Sequence, residues 1–426
     1  MKPDRNGGRR CRTLAAVVRA MAMVVIIAMA GGGRAALGEQ EGTSAGERRE
    51  LNIFPFVGGD SDVGFGGGQF SDWAVLPADN PNAFVWKLED AAFITFKLSG
   101  DSLVIPFVDV WALLTIPHFG PGGRYRLEVR PSFTDERTLG YYGIGNASPY
   151  PVNVPTDATE YQRMHPTLAA RVKRELVDGL SLELGSSFTA SWLTIPADSL
   201  ILRDARDGPP EVRHLLSNLR STNGVELVEL ALEYDTRDNE TVTSHGQYDA
   251  LLVRGSPAAG AWMPYSYLQV DATLRYYSTP VPRWLALSYR VVGDAILGNS
   301  PFYELARFDD TPAIGGGKAI RGVPAQRYHG KVKLFGNLES RTDVWSFAIA
   351  HKPMVLGVAG FIDCGRTWTE LGHAYPALDG QGLGLKYGVG GGLRLLEGRT
   401  FVVRADLAWS PDALPIGAYF DAGEIF

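Results

Sequence analysis

From Ser266 to Tyr276 the chain alternates with a period of two. Leu268, Val270, Ala272, Leu274 and Tyr276 fall on one face of an extended segment, and Gln269, Asp271, Thr273 and Arg275 fall on the other. One side is greasy and the other ionic. Tyr125, Leu127, Val129 and Phe133 oppose Arg126, Glu128, Arg130 and Ser132 in the same way, as Val403, Ala405, Leu407 and Trp409 oppose Arg404 and Asp406. A soluble sandwich also alternates, so the period alone does not say whether the apolar face meets protein or lipid. Length does: a membrane-crossing strand needs about 9 to 11 residues at a tilt near 45°, and many of these runs reach that length before a Gly, Pro or Asp cluster stops them. Trp192, Tyr276, Trp284, Trp368 and Trp409 stand near segment ends, where the two interfacial girdles of a membrane barrel place aromatic side chains.

Other architectures are excluded by what is missing. No run after the N-terminus approaches the ~20 apolar residues of a membrane-spanning helix. The 50 Gly and 26 Pro fall between short apolar stretches, which implies many turns. Hydrocarbon offers backbone amides no partner, so a spanning sheet has to close on itself. The expected fold is therefore all-β: one closed antiparallel transmembrane β-barrel, with sixteen strands placed between Asp62 and Phe426, the even parity being that of bacterial single-chain barrels.

The first residues read differently. Arg9, Arg10, Arg12 and Arg19 precede the apolar run Met21 to Ala30, and small residues follow, the order of a secretory signal peptide with cleavage near Ala30 or Gly38. Residues 1–38 are expected to be this export segment, 39–61 a short periplasmic lead-in and 62–426 the barrel. The lead-in is too short for a further folded domain of ~50 residues. Cys11 falls in the export segment and Cys364 has nothing to pair with, so the fold is expected to stand without disulfides.

The net charge of −6 gives no support for a nucleic-acid partner, which needs a basic surface. Catalysis finds no motif: Gly-x-Ser-x-Gly is absent, and the seven His residues lack metal-ligand spacing such as His-Glu-x-x-His. His245 and His329 are expected as solvated loop residues. Asp235, Asp238 and Glu240 around Arg237 are expected as a strand end with its own ion pairs. Gly315-Gly316-Gly317 lacks the Lys-Ser/Thr ending of a phosphate loop. No catalytic residue, metal or cofactor is expected.

Several phrases together resemble the bacterial surface antigen family, the barrels of outer-membrane assembly factors and two-partner secretion transporters. Phe54-Pro55-Phe56 with Asp62-Val63-Gly64-Phe65-Gly66-Gly67-Gly68 is similar to that family's opening strand. Leu139 to Asn146 and Tyr234 to Asn239 resemble two of its loop phrases. Gly315-Gly316-Gly317 with Ile320-Arg321-Gly322 resembles the tip of a long loop that folds into the lumen, and Phe361-Ile362-Asp363-Cys364-Gly365 resembles the strand against which that tip locks. The resemblance implies that Arg321 pairs with Asp363. Phe361, Asp363 and Gly365, two apart, share one strand face, expected to be the lumen. Glu339 and Arg341 match further polar lumen positions. Val323, followed by Pro324, stands where the family usually has an aromatic residue.

Phe426, on an expected strand with Ile416, Ala418 and Phe420, resembles a C-terminal assembly signal, although Glu424 interrupts that apolar face. The resemblance implies a role in outer-membrane protein or lipid biogenesis or transport through a loop-gated lumen. Outer-membrane lipid, the machinery that inserts the barrel, and client proteins or lipids would be its partners. The family's periplasmic client-receiving domains have no counterpart expected here. A passive, porin-like channel and a structural surface protein are the alternative readings.

Overall fold

A computed structural model of the protein describes residues 47–77, 84–99, 102–150, 154–308, 311–349, 351–398 and 401–426. The expected export segment, 1–38, lies outside these residues.

The wall is a ring of sixteen antiparallel strands. The first half comprises β1 Glu47–Asp60, β2 Gly64–Pro77, β3 Trp86–Ser99, β4 Phe107–Phe119, β5 Tyr125–Gly140, β6 Glu160–Val177, β7 Leu180–Thr194 and β8 Thr222–Asp235. The second comprises β9 Gly246–Ser256, β10 Ser266–Val281, β11 Leu285–Asn299, β12 Val332–Ile349, β13 Lys352–Trp368, β14 Lys386–Glu397, β15 Phe401–Ser410 and β16 Ala413–Ala422. A short run, Ser102–Val104, extends the β3 hairpin. Each strand pairs with its sequence neighbours, and β16 returns to β1, so the expected closed barrel is the observed one.

The period of two sorts the side chains. On β13, Ile362 is 47% exposed and faces outward, whereas its neighbours Phe361 and Asp363 are buried on the inward face. Leu184, Leu230, Leu274, Leu338 and Leu393 continue the outward apolar belt around the wall. A cation in the middle of such a belt costs ~2–4 kcal/mol, so the ionic residues gather inside. Long connections, 141–159, 195–221, 300–331 and 369–385, lie at one end of the barrel, with short turns such as 178–179, 282–284 and 350–351 at the other. In an outer-membrane barrel the long loops face the exterior and the short turns the periplasm. Trp192, Trp368 and Trp409 sit near the long-loop end, and Tyr276 and Trp284 near the short-turn end, as two girdles require.

Two expectations are corrected. The segment 39–61, expected as a lead-in, contains β1, so the barrel begins before Asp62. Phe426 is not on a strand: β16 ends at Ala422, Gly423 turns at φ +96°, and Ile425 and Phe426 enter the interior to pack on Tyr277. Glu424 supplies the reason. A carboxylate on the lipid face would be uncompensated, and here it is drawn inside to Arg341 at 3.1 Å and Arg394 at 3.2 Å. Phe420 stays on β16, opposite Gly59 of β1.

Closure is uneven. β1 pairs with β2 from Glu47↔Pro77 to Asp60↔Gly64, yet meets β16 only at Gly59↔Phe420 and Asp60↔Tyr419. β16 runs on to Ala422 against β15, but Asp421 and Ala422 form no ladder pair with Gly58 and Val57, and after Gly423 the chain turns inward. Pro55, which has no N–H to pair, lies in the part of β1 beyond the seam contact, where an edge strand tolerates it.

With Cys364 replaced by Ala, the pair Ser61→Cys/Ala418→Cys should form a disulfide readily, since the Ser61 N–H donates to the Ala418 carbonyl at 2.9 Å. Val57→Cys/Ala422→Cys, which a continued ladder would bring face to face, should remain reduced on a non-reducing gel. Efficient crosslinking of the second pair would show that the seam is longer than two residue pairs.

Candidate functional site

The connection between β11 and β12, residues 300–331, is built for a fixed shape. The 3-10 turn Phe302–Ala306 buries Phe302, Tyr303 and Leu305 at its root. Further on the chain doubles back, the Gly316 N–H donating to the Val323 carbonyl at 2.8 Å and the Val323 N–H to the Ile320 carbonyl at 3.2 Å. Ile314, Ile320, Val323 and Tyr328 then form an apolar cluster against Val292 and Phe335 of the wall. Val323, in the place of an aromatic residue, is itself fully buried, so the smaller side chain has not kept the tip out.

Arg321, at the tip, meets carboxylates from three strands. Its Nε and Nη2 donate to the two oxygens of Asp363 on β13 at 2.8 and 3.0 Å, and its own backbone N–H donates to Asp363 at 3.1 Å. Nη1 donates to Glu339 on β12 at 2.8 Å and to Asp406 on β15 at 3.1 Å. The guanidinium lies 3.3 Å from the centre of the Phe361 ring. Arg321, Glu339 and Asp363 have no exposed surface at all. Burying a guanidinium costs several kcal/mol, and a two-pronged carboxylate contact with every donor engaged is the arrangement that offsets it.

Register explains the convergence. Phe361 pairs with Glu339 across β12–β13, Asp363 with Gly388 across β13–β14, and Gly392 with Asp406 across β14–β15. Gly388 is required by contact: a Cβ there would stand 1.8 Å from the Arg321 carbonyl oxygen. Gly322 is required by conformation, with φ +90° and its N–H donating to the Tyr419 hydroxyl of β16 at 2.8 Å. Gly365 faces Phe335 and Ile320, with no room for a side chain.

The sequence reading thus named Arg321, Gly322, Phe361, Asp363, Gly365, Glu339 and Arg341, and the structure brings them together, Arg341 donating to Glu339 at 3.0 Å. It did not name Arg394, which reaches Asp406 at 2.5 Å, Glu339 at 3.0 Å and Glu424 at 3.2 Å. Arg404, 3.2 Å from Asp406, was read only as part of an ionic strand face and not as a member of this site, and Tyr419 was not named. The signal was present on β14, where Gly388, Gly390, Gly392 and Arg394 alternate: three absent side chains and one cation on one face. Glu424 belongs to this network through Arg341 and Arg394, so the inward-turned tail is three ion pairs away from Arg321.

A second anchor also escaped the sequence. Arg307 grips Glu136 of β5 with both carboxylate oxygens at 2.5 and 2.6 Å, and the Tyr303 hydroxyl donates to Asn223 of β8 at 2.8 Å. Arg327 reaches Ser148, and the Ala325 N–H donates to Asp62 at 2.9 Å. The loop is therefore tied to walls that face each other. His329, expected as solvated, is fully buried 5.1 Å from the Tyr141 ring. Burial, with help from Lys333 and Arg327, pushes its pKa down to about 3, so the imidazole is neutral. Arg237 pairs with Asp235 at 2.7 Å, the ion-paired strand end that was expected.

Two solved structures share the architecture. BamA from Haemophilus ducreyi lacking POTRA domains 1-3 matches with a TM-score of 0.57 at 13% identity, over 88% of this chain and 70% of that one. CdiB from Escherichia coli matches with a TM-score of 0.54 at 10% identity, over 87% of this chain and 62% of that one, so the present chain spans less than two thirds of it. At these identities the likeness is one of fold. No protein-family model and no curated protein matches the sequence. The chain folds as a closed sixteen-strand antiparallel β-barrel with an apolar belt on its outer face.

Replacing Arg321 by Met should cost about 3–5 kcal/mol, because Asp363, Glu339 and Asp406 are then left facing one another in a buried site. Arg321→Lys should recover little of it, since an ammonium cannot make the two-pronged contact. The heat-dependent gel shift of the folded barrel measures both.

Asp62, in the turn after β1, has its pKa pushed up to about 7 by burial first and then by the neighbouring Asp60 carboxylate; the Ala325 N–H and Lys97 act the other way, and Tyr142 stands nearby. A pKa raised in the folded state contributes stability that is complete below about 4 and lost as pH rises through 7. Asp62→Asn should therefore gain thermal stability relative to the parent between pH 4 and 8. A pH-independent difference would contradict this.

Proposed function

We propose that this protein is a translocation or assembly barrel of the outer membrane, acting in protein or lipid biogenesis, whose lumen is closed by the 300–331 loop with Arg321 as the latch. The observation that carries the reading is Arg321, fully buried and bonded to carboxylates of β12, β13 and β15 at once. A passive pore has no need of so costly an internal contact, whereas a plug that must hold against thermal motion and still be released has. A network of ion pairs suits release, because displacing one member leaves its partners uncompensated and favours departure of the whole set. The sequence resemblance to assembly and two-partner secretion barrels supports the same reading, as does the architecture shared with BamA and CdiB. The two-pair seam between β1 and β16 is the natural place for the wall itself to part.

A porin-like channel has one observation in its favour. Away from the tip, the inward charges of β6 are partly solvated, the side chains of Arg171 and Lys173 being 36% and 35% exposed. This leaves a wet lane beside the plug.

Planar-bilayer recording separates the readings. The parent should be closed or only rarely open, and Arg321→Ala or Asp363→Ala should produce frequent large openings. A large, steady conductance in the parent, unaffected by Arg321→Ala, would establish the channel instead.

A further inference from the structure

The inward face of the first four strands departs in part from the ionic rule of the rest of the wall, carrying rings between charged positions such as Glu89 and Asp109. Register places Phe54 opposite Phe70, Phe70 opposite Ala91 and Ala91 opposite Trp111, all on one face. Trp111 in turn pairs with Ser132 of β5, whose even-numbered face includes Glu136, the inward partner of Arg307. The rings are therefore inside the barrel. Phe54 lies 6.5 Å from Phe70, and Phe70 lies 6.2 Å from Trp111. One step nearer the exterior a second row repeats this, Phe56 5.3 Å from Phe93 and Phe93 6.3 Å from Phe107.

This aromatic wall crosses four strands, about 14 Å at ~4.8 Å per strand spacing. The chain leaves it partly uncovered, Phe54 being 49% exposed. The lower row ends on a cation: the Arg130 guanidinium of β5 stands 5.3 Å over the Trp111 ring. Arg130 is exposed, and its acidic neighbours are engaged elsewhere, Glu128 by Arg126 at 2.7 Å and Glu89 by Lys87 at 2.9 Å.

We infer that this wall is a docking surface for the acyl chain of a long-chain fatty acid, whose carboxylate is held by Arg130. Two rows of rings gain from apolar contact, and the Arg130 guanidinium at the end of the lower row suits an anionic head group. An unfolded polypeptide suits the surface less well. The wall strands β2, β3 and β4 spend their backbone groups on their own ladders, so a peptide laid across the rings would lose water from its amides and find no partner, a cost that an acyl chain does not carry. The rows also begin on β1, at the short seam, where the interior lies nearest to the lipid. The inference deepens the proposed function by naming a cargo class and rests on that reading only for the direction of transport.

The test uses the full barrel in phosphatidylcholine nanodiscs, irradiated with palmitate carrying a diazirine in its chain and analysed by mass spectrometry at residue resolution. Adducts are expected on Phe70 and Trp111, and Arg130→Gln should reduce them about tenfold, the loss that removing a charged hydrogen-bond partner produces. The outward residues Trp73 and Val110, labelled from the bilayer, serve as the reference and should not change. A hexadecanol probe with the same diazirine should label Phe70 and Trp111 equally in the parent and in Arg130→Gln. Adducts confined to outward residues, or inward adducts indifferent to Arg130→Gln, would overturn the proposal. So would an equal loss of the hexadecanol adducts, which would report a disturbed wall. Labelling is read on the closed barrel without current, so its failure leaves loop gating standing, and a channel insensitive to Arg321 leaves the acyl surface standing.

Discussion

In hydrocarbon every backbone amide has to find its partner within the protein, and the rest of this structure follows from that requirement. A sheet meets it by closing, and a closed sheet with a period of two acquires an outside and an inside of opposite character. Leu184, Leu274 and Leu393 can face lipid because Glu183, Arg275 and Arg394 face away from it. Sixteen strands also enclose more space than their inward side chains fill. Such an interior must be occupied by water or by chain, and here the 300–331 loop from one end and the Glu424–Phe426 tail from the other both enter it.

The energetic problem then moves from the amides to the charges. Arg321 gives up all its water, and Asp363, Glu339 and Asp406 replace it from three strands. Glu339 is shared among Arg321, Arg341 and Arg394, and Arg394 is shared among Glu339, Asp406 and Glu424. Sharing makes the contributions non-additive: no pair can be removed without exposing its neighbours to uncompensated burial. Arg290 binds loop and tail more directly, donating to the Lys318 carbonyl at 2.5 Å and lying 5.1 Å from the Phe426 ring. Partial withdrawal of a tip held this way would break some of these contacts and leave the remaining carboxylates and guanidinia uncompensated.

What could be read from the sequence is what depends on local order. Alternation gave the strands and their faces, and the phrases around Arg321 and Asp363 resembled a known lock closely enough to pair them. Arg394, Arg404 and Asp406 were not legible in that way, because which inward residues meet is set by register across four strands and by where the barrel closes. Arg307 and Glu136 lie far apart in the chain, and neither belongs to a phrase that suggests the other. His329 was misjudged for a related reason: a loop position implies solvent only when the loop lies on the surface, and this one is packed against Tyr141. Glu424 was the opposite case. Its break in the apolar pattern was visible, and the physical answer was that the chain leaves the wall, rather than that a charge is held at the interface.

β1 is where these rules are weakest. Outward it carries Leu51, Ile53, Pro55 and Val57, and inward Asn52, Phe54 and Phe56, so from Ile53 to Val57 both faces are apolar. Elsewhere a register slip of one residue would turn ionic side chains into lipid and apolar ones into water, at a cost of several kcal/mol, and this is what pins each strand to its neighbours. Along this stretch of β1 a slip exchanges one apolar set for another, and the penalty largely vanishes. The strand whose register is least enforced by its side chains is also the one whose second edge is held by two residue pairs. A wall that has to part somewhere would part here at the least cost, and the same composition lines the inside of that opening with rings.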